Sequence, residues 1–215
     1  MKTIQTIFLL LCCGAIWAGE VPTNANEVRP LLPGSDAPAF SATNAYGETF
    51  SFDPQNLQRP AVLIFYRGGW CPYCNLYWSE LRKIETELLA MNLDVMFLSA
   101  DSPSVLAKAV ADEADRPAYQ LLSDGSSEIA QAFGIAFRAS DKTYNRYLEM
   151  NLVDLEKASG YDHHNLPAPA VFIIGADGVI AFQYVNPKYN VRLPPQVLLA
   201  AARSLPDFRL NLKSR

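Results

Sequence analysis

The sequence predicts an α/β domain with a mixed central sheet flanked by helices on both faces, and three observations predict it. Strand-like apolar runs alternate with amphipathic helical stretches along most of the chain. The last strand-like pieces, Ala170 to Ile174 and Val179 to Val185, are joined by Ala176-Asp177-Gly178, a hairpin signal that adds antiparallel pairing to an otherwise crossover-connected sheet. Finally, a Cys-x-x-Cys pair stands between a buried strand and a helix start, in the run Gly68-Gly69-Trp70-Cys71-Pro72-Tyr73-Cys74.

The 215 residues suffice for one domain with a well-buried core. Half of them are hydrophobic and 19% are charged, an ordinary globular balance. A formal charge of −4 without a long basic run gives no electrostatic reason to expect nucleic acid.

Residues 1–19 read as a signal peptide. Lys2 supplies the positive end, Ile4 to Ile16 is almost unbroken apolar sequence, and Ala15 to Gly19 offers small residues for cleavage. The apolar stretch is short for a membrane span, so no stable membrane insertion is expected after cleavage. The expectation is a periplasmic or secreted protein. Cys12 and Cys13 would leave with the signal, so Cys71 and Cys74 remain of the four cysteines. In an oxidising compartment such a pair is read first as a disulfide. A purely structural role is the weaker reading, because a loop this short removes little entropy from the unfolded chain.

Residues 20–39, rich in Pro and Asn, read as an extended segment leading into a domain over 40–215. Phe40 to Phe52 is a hairpin turning at Asn44-Ala45-Tyr46-Gly47. Ala61 to Tyr66 is a strand buried on both faces. A helix follows to about Met91, with Cys74, Tyr77, Leu81, Ile84 and Leu88 on one stripe. Leu93 to Leu98 is a strand, Ser102 caps a helix through about Asp112, and Tyr119 to Leu122 is a short strand. Ser126 to Phe133 is a helix closed by Gly134. Ser140 to Ser159 reads as one amphipathic helix ended by Gly160, and Leu193 to Leu205 as the last helix.

Pro72 suits the first helical position, which makes Cys71 the N-cap and Cys74 the third helical residue. Such residues bring their Cα atoms to roughly 5–6 Å, a separation that a disulfide spans. A thiol attacks a disulfide or peroxide only as the thiolate, and a helix N-terminus favours that form. Two readings stand for Arg67: a cation folded over the sulfurs, or a solvated surface residue. Two stand for Trp70: a shield or docking face at the site, or core packing. Gly68 and Gly69 let the loop turn and let a partner approach. Pro169 stands before a buried strand, where a ladder N–H is normally required.

Asp162-His163-His164 is the only histidine cluster, and adjacent histidines point apart, unlike most zinc ligands. A polar loop is the expected role. Glu85 and Glu87 read as a solvated helix face. No cofactor and no metal are expected.

Trp70-Cys71-Pro72-Tyr73-Cys74 after a buried strand resembles the active site of the thioredoxin superfamily. The longer run Phe65 to Cys74, with Ser99-Ala100-Asp101-Ser102-Pro103, Leu122-Ser123-Asp124 and Pro169 to Ile174, resembles the peroxiredoxin-like branch of the alkyl hydroperoxide reductase and thiol-specific antioxidant (AhpC/TSA) family. The resemblance covers roughly Pro33 to Ala202 and implies a thioredoxin-like fold and an antioxidant thiol–disulfide oxidoreductase. It also implies a cis Ala168–Pro169 bond facing the cysteines. Its substrates would be peroxides or protein disulfides, and its partner a thiol reductant, either a thioredoxin-like protein or a small thiol. Typical peroxiredoxins place the attacking cysteine where Cys74 stands, a threonine at Cys71 and a proline at Arg67. The arginine that polarises the peroxide is replaced at Pro169, and the buried acid of thioredoxins at Phe65. Exposure favours Cys71 at the N-cap as nucleophile toward disulfides, with Cys74 resolving; the family pattern reverses these roles for peroxide. The other reading is a non-catalytic copper- or partner-binding module using the same thiols.

Overall fold

Long apolar runs fix the centre of the molecule. In the computed structural model, which describes residues 20–110 and 118–205, Ala61–Tyr66 (β3) pairs in parallel with Asp94–Ser99 (β4), and β4 pairs in parallel with Gln120–Ser123 (β5). Ala170–Ile174 (β8) lies antiparallel on the other side of β3 and continues through a hairpin into Ile180–Val185 (β9). The Phe40–Asn44 (β1) and Thr49–Phe52 (β2) hairpin adds to the far edge through β5. The seven-stranded order is β2-β1-β5-β4-β3-β8-β9, a mixed thioredoxin-like sheet. The signal peptide expected over 1–19 lies outside the described residues. Among the described residues no helix is long and apolar enough to cross a membrane.

The central strands carry apolar residues on both faces because both are covered. Val62, Ile64, Val95, Phe97, Val171 and Ile173 form one core with Leu81, Ile84, Leu88 and Leu106, and with Leu198 and Leu199 of Pro195–Arg203 (α7). The alternate residues Leu63, Phe65, Met96, Leu98, Phe172 and Ile174 form the other, against Ile129 and Phe133. Each such side chain, fully buried, stabilises the fold by about 1.5–3 kcal/mol.

Two helices expected as single elements are divided. Pro72–Arg82 (α1) and Glu85–Ala90 (α2) are separated where Lys83 N donates to Glu80 O and Ile84 N to Leu81 O. That tighter turn keeps Leu81, Ile84 and Leu88 on the core. After Pro103–Ala109 (α3) and Glu128–Ala132 (α4), the stretch expected as one helix from Ser140 forms Asp141–Glu149 (α5) and Leu155–Ser159 (α6). Asn151 takes a left-handed φ of 48° between them, and Asp154 caps the second by accepting the Lys157 N–H. A two-stranded ribbon, Ala136–Arg138 (β6) with Asn165–Pro167 (β7), was not legible in the sequence. The expected end of α3 near Asp112 lies outside the described residues.

Asp124 fastens α4 to the sheet: its carboxylate accepts Ile129 N–H at 2.9 Å and Ala130 N–H at 2.8 Å. Asp124→Ala leaves both donors without that acceptor and is expected to lower stability by about 1–2 kcal/mol, read from urea unfolding monitored by circular dichroism.

Candidate active site

The parallel pair β3–β4 and the start of β8 converge on one end of the sheet, where β3 runs into the loop carrying both cysteines. Cys71 is the N-cap of α1 (φ −87°, ψ 113°), with Pro72 in the first turn and Cys74 three residues on. Cys71 O accepts Cys74 N–H at 2.9 Å and Asn75 N–H at 3.1 Å. The Asn75 side-chain amide returns to Gly69 O at 2.9 Å, tying the loop to the helix it opens. Both cysteines are free thiols, close together but not bridged.

The expected difference in exposure is absent. Cys71 is 2% exposed and Cys74 5%, so an N-cap position has not left the first sulfur open to water. The segment between β9 and α7 returns over α1, with Tyr189 against Tyr73 (ring centroids 5.5 Å apart) and Arg192 against Cys74, and this closes the end of the helix.

Electrostatics separates the two sulfurs where exposure does not. The Cys74 thiol hydrogen-bonds to Cys71 and pulls it down to about 6; the Cys74 backbone N–H and the charges of Arg67 and Arg192 act in the same direction, against burial. Cys74 moves upward, as the proton donor in that pair and a buried group beside the Cys71 charge. Arg192 Nη2 nonetheless lies 3.2 Å from Cys74 Sγ, a direct cation contact to that sulfur.

Arg67 is neither of its two expected extremes. It is 4% exposed, hydrogen-bonds to the Tyr147 hydroxyl, and lies over the rings of Trp70 (5.2 Å), Tyr147 (5.5 Å) and Tyr189 (4.8 Å). It reaches Cys71 through its charge rather than by contact. Trp70 packs against Tyr147, at 5.7 Å between rings, in a small apolar cluster with Leu155 and Leu166. Tyr73 is exposed.

Pro169 sits at the cysteine end, lining a cleft with Arg67, Tyr147 and Tyr189. Its peptide bond corrects the expectation: no described bond is cis, so Ala168–Pro169 is trans. The chain runs extended from the β6–β7 ribbon straight into β8. Ala168 N–H donates to Ile135 O, and Pro169 O accepts Asn186 N–H at 3.1 Å, so the backbone on either side of the ring is engaged in strand-like bonds.

Three residues of the site were not singled out from sequence. Asp101, just past β4, accepts Gly69 N–H at 2.7 Å through Oδ2, and its Oδ1 is buried beside the Trp70 indole without a close hydrogen bond. Burial pushes it up to about 6, against the Gly69, Ser99 and Trp70 contacts, and the Cys71 charge adds to the rise. Parallel pairing of β4 with β3 is the signal that places its C-terminal end here. Tyr147 and Arg192 come from 80 and 118 residues away from their partners and left no local signal.

The histidines lie elsewhere. His163 uses both ring nitrogens, toward Gly125 O and Asn165 N–H, while His164 stacks on Tyr144 and meets Glu156 at 2.9 Å. Among the described residues no group of three or more His, Cys, Asp or Glu is placed to hold a metal ion.

Removing the Arg192 cation takes away a group that favours thiolate at the pair. In Arg192→Met, the pH midpoint of Cys71 alkylation by iodoacetamide, followed by peptide mass mapping, is expected to rise from near 6 by about half a unit to one unit, slowing alkylation below neutrality.

The sequence profile described as AhpC/TSA family matches residues 33–183. Solved structures share the fold at low identity. A peroxiredoxin-like protein from Aquifex aeolicus superposes with a TM-score of 0.61 at 17% identity, covering 82% of this chain and 89% of that one. The peroxidoxin BcpB from Mycobacterium tuberculosis gives 0.59 at 19%, covering 80% and 97%. A thiol peroxidase from Chromobacterium violaceum gives 0.62 at 13%, covering 88% and 94%. No curated protein sequence matches the chain.

Proposed function

Because the chain belongs to the AhpC/TSA family, we propose that it is a thiol-dependent peroxidase whose Cys71 and Cys74 cycle between dithiol and disulfide. One observation carries the reading: two unbridged, buried thiols stand three residues apart at the start of α1, with a guanidinium 3.2 Å from the second. Cys71, held as thiolate, attacks the distal oxygen of a hydroperoxide. The O–O bond breaks, the alkoxide takes a proton and leaves as the alcohol, and Cys71 becomes a sulfenic acid. That step removes the negative charge that had held Cys74 protonated. Arg192 then favours the Cys74 thiolate, which attacks the Cys71 sulfur, forms the disulfide and releases water. Two electrons and two protons from a thiol reductant, itself oxidised to a disulfide, restore the pair. The same pair suits exchange with a protein disulfide.

The reductant is a thioredoxin-like protein or a small thiol, and the site of action is periplasmic or secreted, a reading supported by Lys2, the apolar run from Ile4 and the small residues before Glu20.

The test is hydrogen peroxide consumption with dithiothreitol or thioredoxin as donor, with thiol counting before and after one equivalent of oxidant. Turnover with loss of two thiols is expected. No consumption, or a Cys71–Cys74 couple more reducing than about −300 mV, would leave an inert structural pair.

A further inference from the structure

At the same end of the sheet as the cysteines, though lined by neither of them, lies a cleft of about 240 Å³ whose walls include Phe137, Tyr147, Tyr189 and Pro169, with Ala25 of the N-terminal segment on one side. Arg67 lines it. This guanidinium is 96% buried by its 4% exposure, makes no ion pair with a carboxylate among the described residues, and has a buried Nε without a hydrogen-bond partner. The ring faces around it offset part of the cost of burying a cation, yet they leave the Nε donor unsatisfied. The second arginine in the lining, Arg138, is already held by Asp141 at 3.2 Å.

A buried, unpaired cation among aromatic walls calls for an anion with an apolar body. A carboxylate is a matched acceptor for a guanidinium whose Nε lacks a partner, and one cation without a carboxylate partner suits a monoanion better than a phosphate dianion. The volume falls below that of pockets for drug-sized ligands, which points to a small molecule rather than a peptide segment.

We propose that this cleft binds a small carboxylate with an apolar body at Arg67, four residues before Cys71, as the anchored anionic end of either the hydroperoxide or the thiol donor of the reaction; the substrate role rests on the peroxidase reading above, while the binding site does not. The N-terminal segment is then part of the site, because Thr23, Asn24 and Ala25 complete its wall.

The test uses the reduced full chain and isothermal titration calorimetry with 4-phenylbutyrate and its neutral counterpart 4-phenylbutanol. Saturable binding of the acid is expected, at least tenfold tighter than the alcohol and at least tenfold weakened in both Arg67→Met and Ala25→Trp. Ala25 is only half-buried, so filling the cleft from that side decides the matter even where Arg67→Met does not fold. Equal binding of acid and alcohol, or unchanged binding in Ala25→Trp, overturns the site. In steady-state assays, competition by 4-phenylbutyrate against 6-hydroperoxyhexanoate identifies the oxidant as occupant, and competition against 6-mercaptohexanoate as reductant identifies the donor. Competition against neither overturns the substrate role. A protein that binds the acid but consumes no peroxide at all sinks the peroxidase reading and leaves the binding site standing.

Discussion

Cys71→Ser is expected to abolish peroxide turnover, by at least about a thousandfold, while Cys74→Ser retains a single stoichiometric reaction. The asymmetry follows from the geometry of the pair. Cys71 receives the Cys74 thiol hydrogen bond and the Cys74 backbone N–H, and feels two arginines, so it holds the negative charge near neutral pH. A serine hydroxyl in its place has no accessible anion, and removing the nucleophile removes the first bond-forming step. Cys74→Ser leaves an attacking sulfur but no resolver. One equivalent of peroxide should then convert Cys71 to a sulfenic acid, trapped by dimedone and seen by mass spectrometry, with no intramolecular disulfide. Dimedone labelling of Cys74 in Cys71→Ser, with turnover retained, would reverse the roles to the order that typical peroxiredoxins imply.

Gly68→Ala is expected to be the most damaging single-methyl change at the site. Gly68 has φ of 154°, outside the range that residues with a Cβ favour, and the added carbon would lie inside the contact distance of the Trp70 indole nitrogen and 2.6 Å from Asp101 Oδ1. Neither neighbour gives way cheaply, since Trp70 packs on Tyr147 and Asp101 is buried and bonded to Gly69. Strained backbone together with displaced packing is expected to cost about 2–4 kcal/mol, measured by urea unfolding, and to cut turnover at least about tenfold through the misplaced Cys71. Gly69→Ala is the control. Its Cβ meets only Asp101 Oδ2, at 3.9 Å, so a small loss of stability is expected there.

The cysteines announce themselves by spacing and by Pro72 between a continuous apolar run and a helical stripe, and the structure places all three in the expected turn. β3, β4 and β8 were legible because strands buried on both faces leave unbroken apolar runs. The β6–β7 ribbon was not, because three-residue strands are too short to show a period. The breaks between α1 and α2 and between α5 and α6 contain neither proline nor glycine, the usual marks of interruption. Asp101, Tyr147 and Arg192 reach the site by convergence of distant segments, which no local pattern encodes. The trans bond at Pro169 shows the opposite failure. There the family pattern implies a cis bond, whereas this chain runs trans between Ala168 N–H on Ile135 O and Asn186 N–H on Pro169 O, on either side of a ring that has no N–H to donate.

The near-complete covering of both sulfurs turns this end of the molecule into a sieve. With Cys71 and Cys74 only 2% and 5% exposed, compact oxidants are expected to react far faster than wide reagents. A dye-linked maleimide therefore has to wait for the Tyr189–Arg192 stretch to swing aside, whereas hydrogen peroxide does not. The ratio of their reaction rates becomes a gauge of how often that stretch opens.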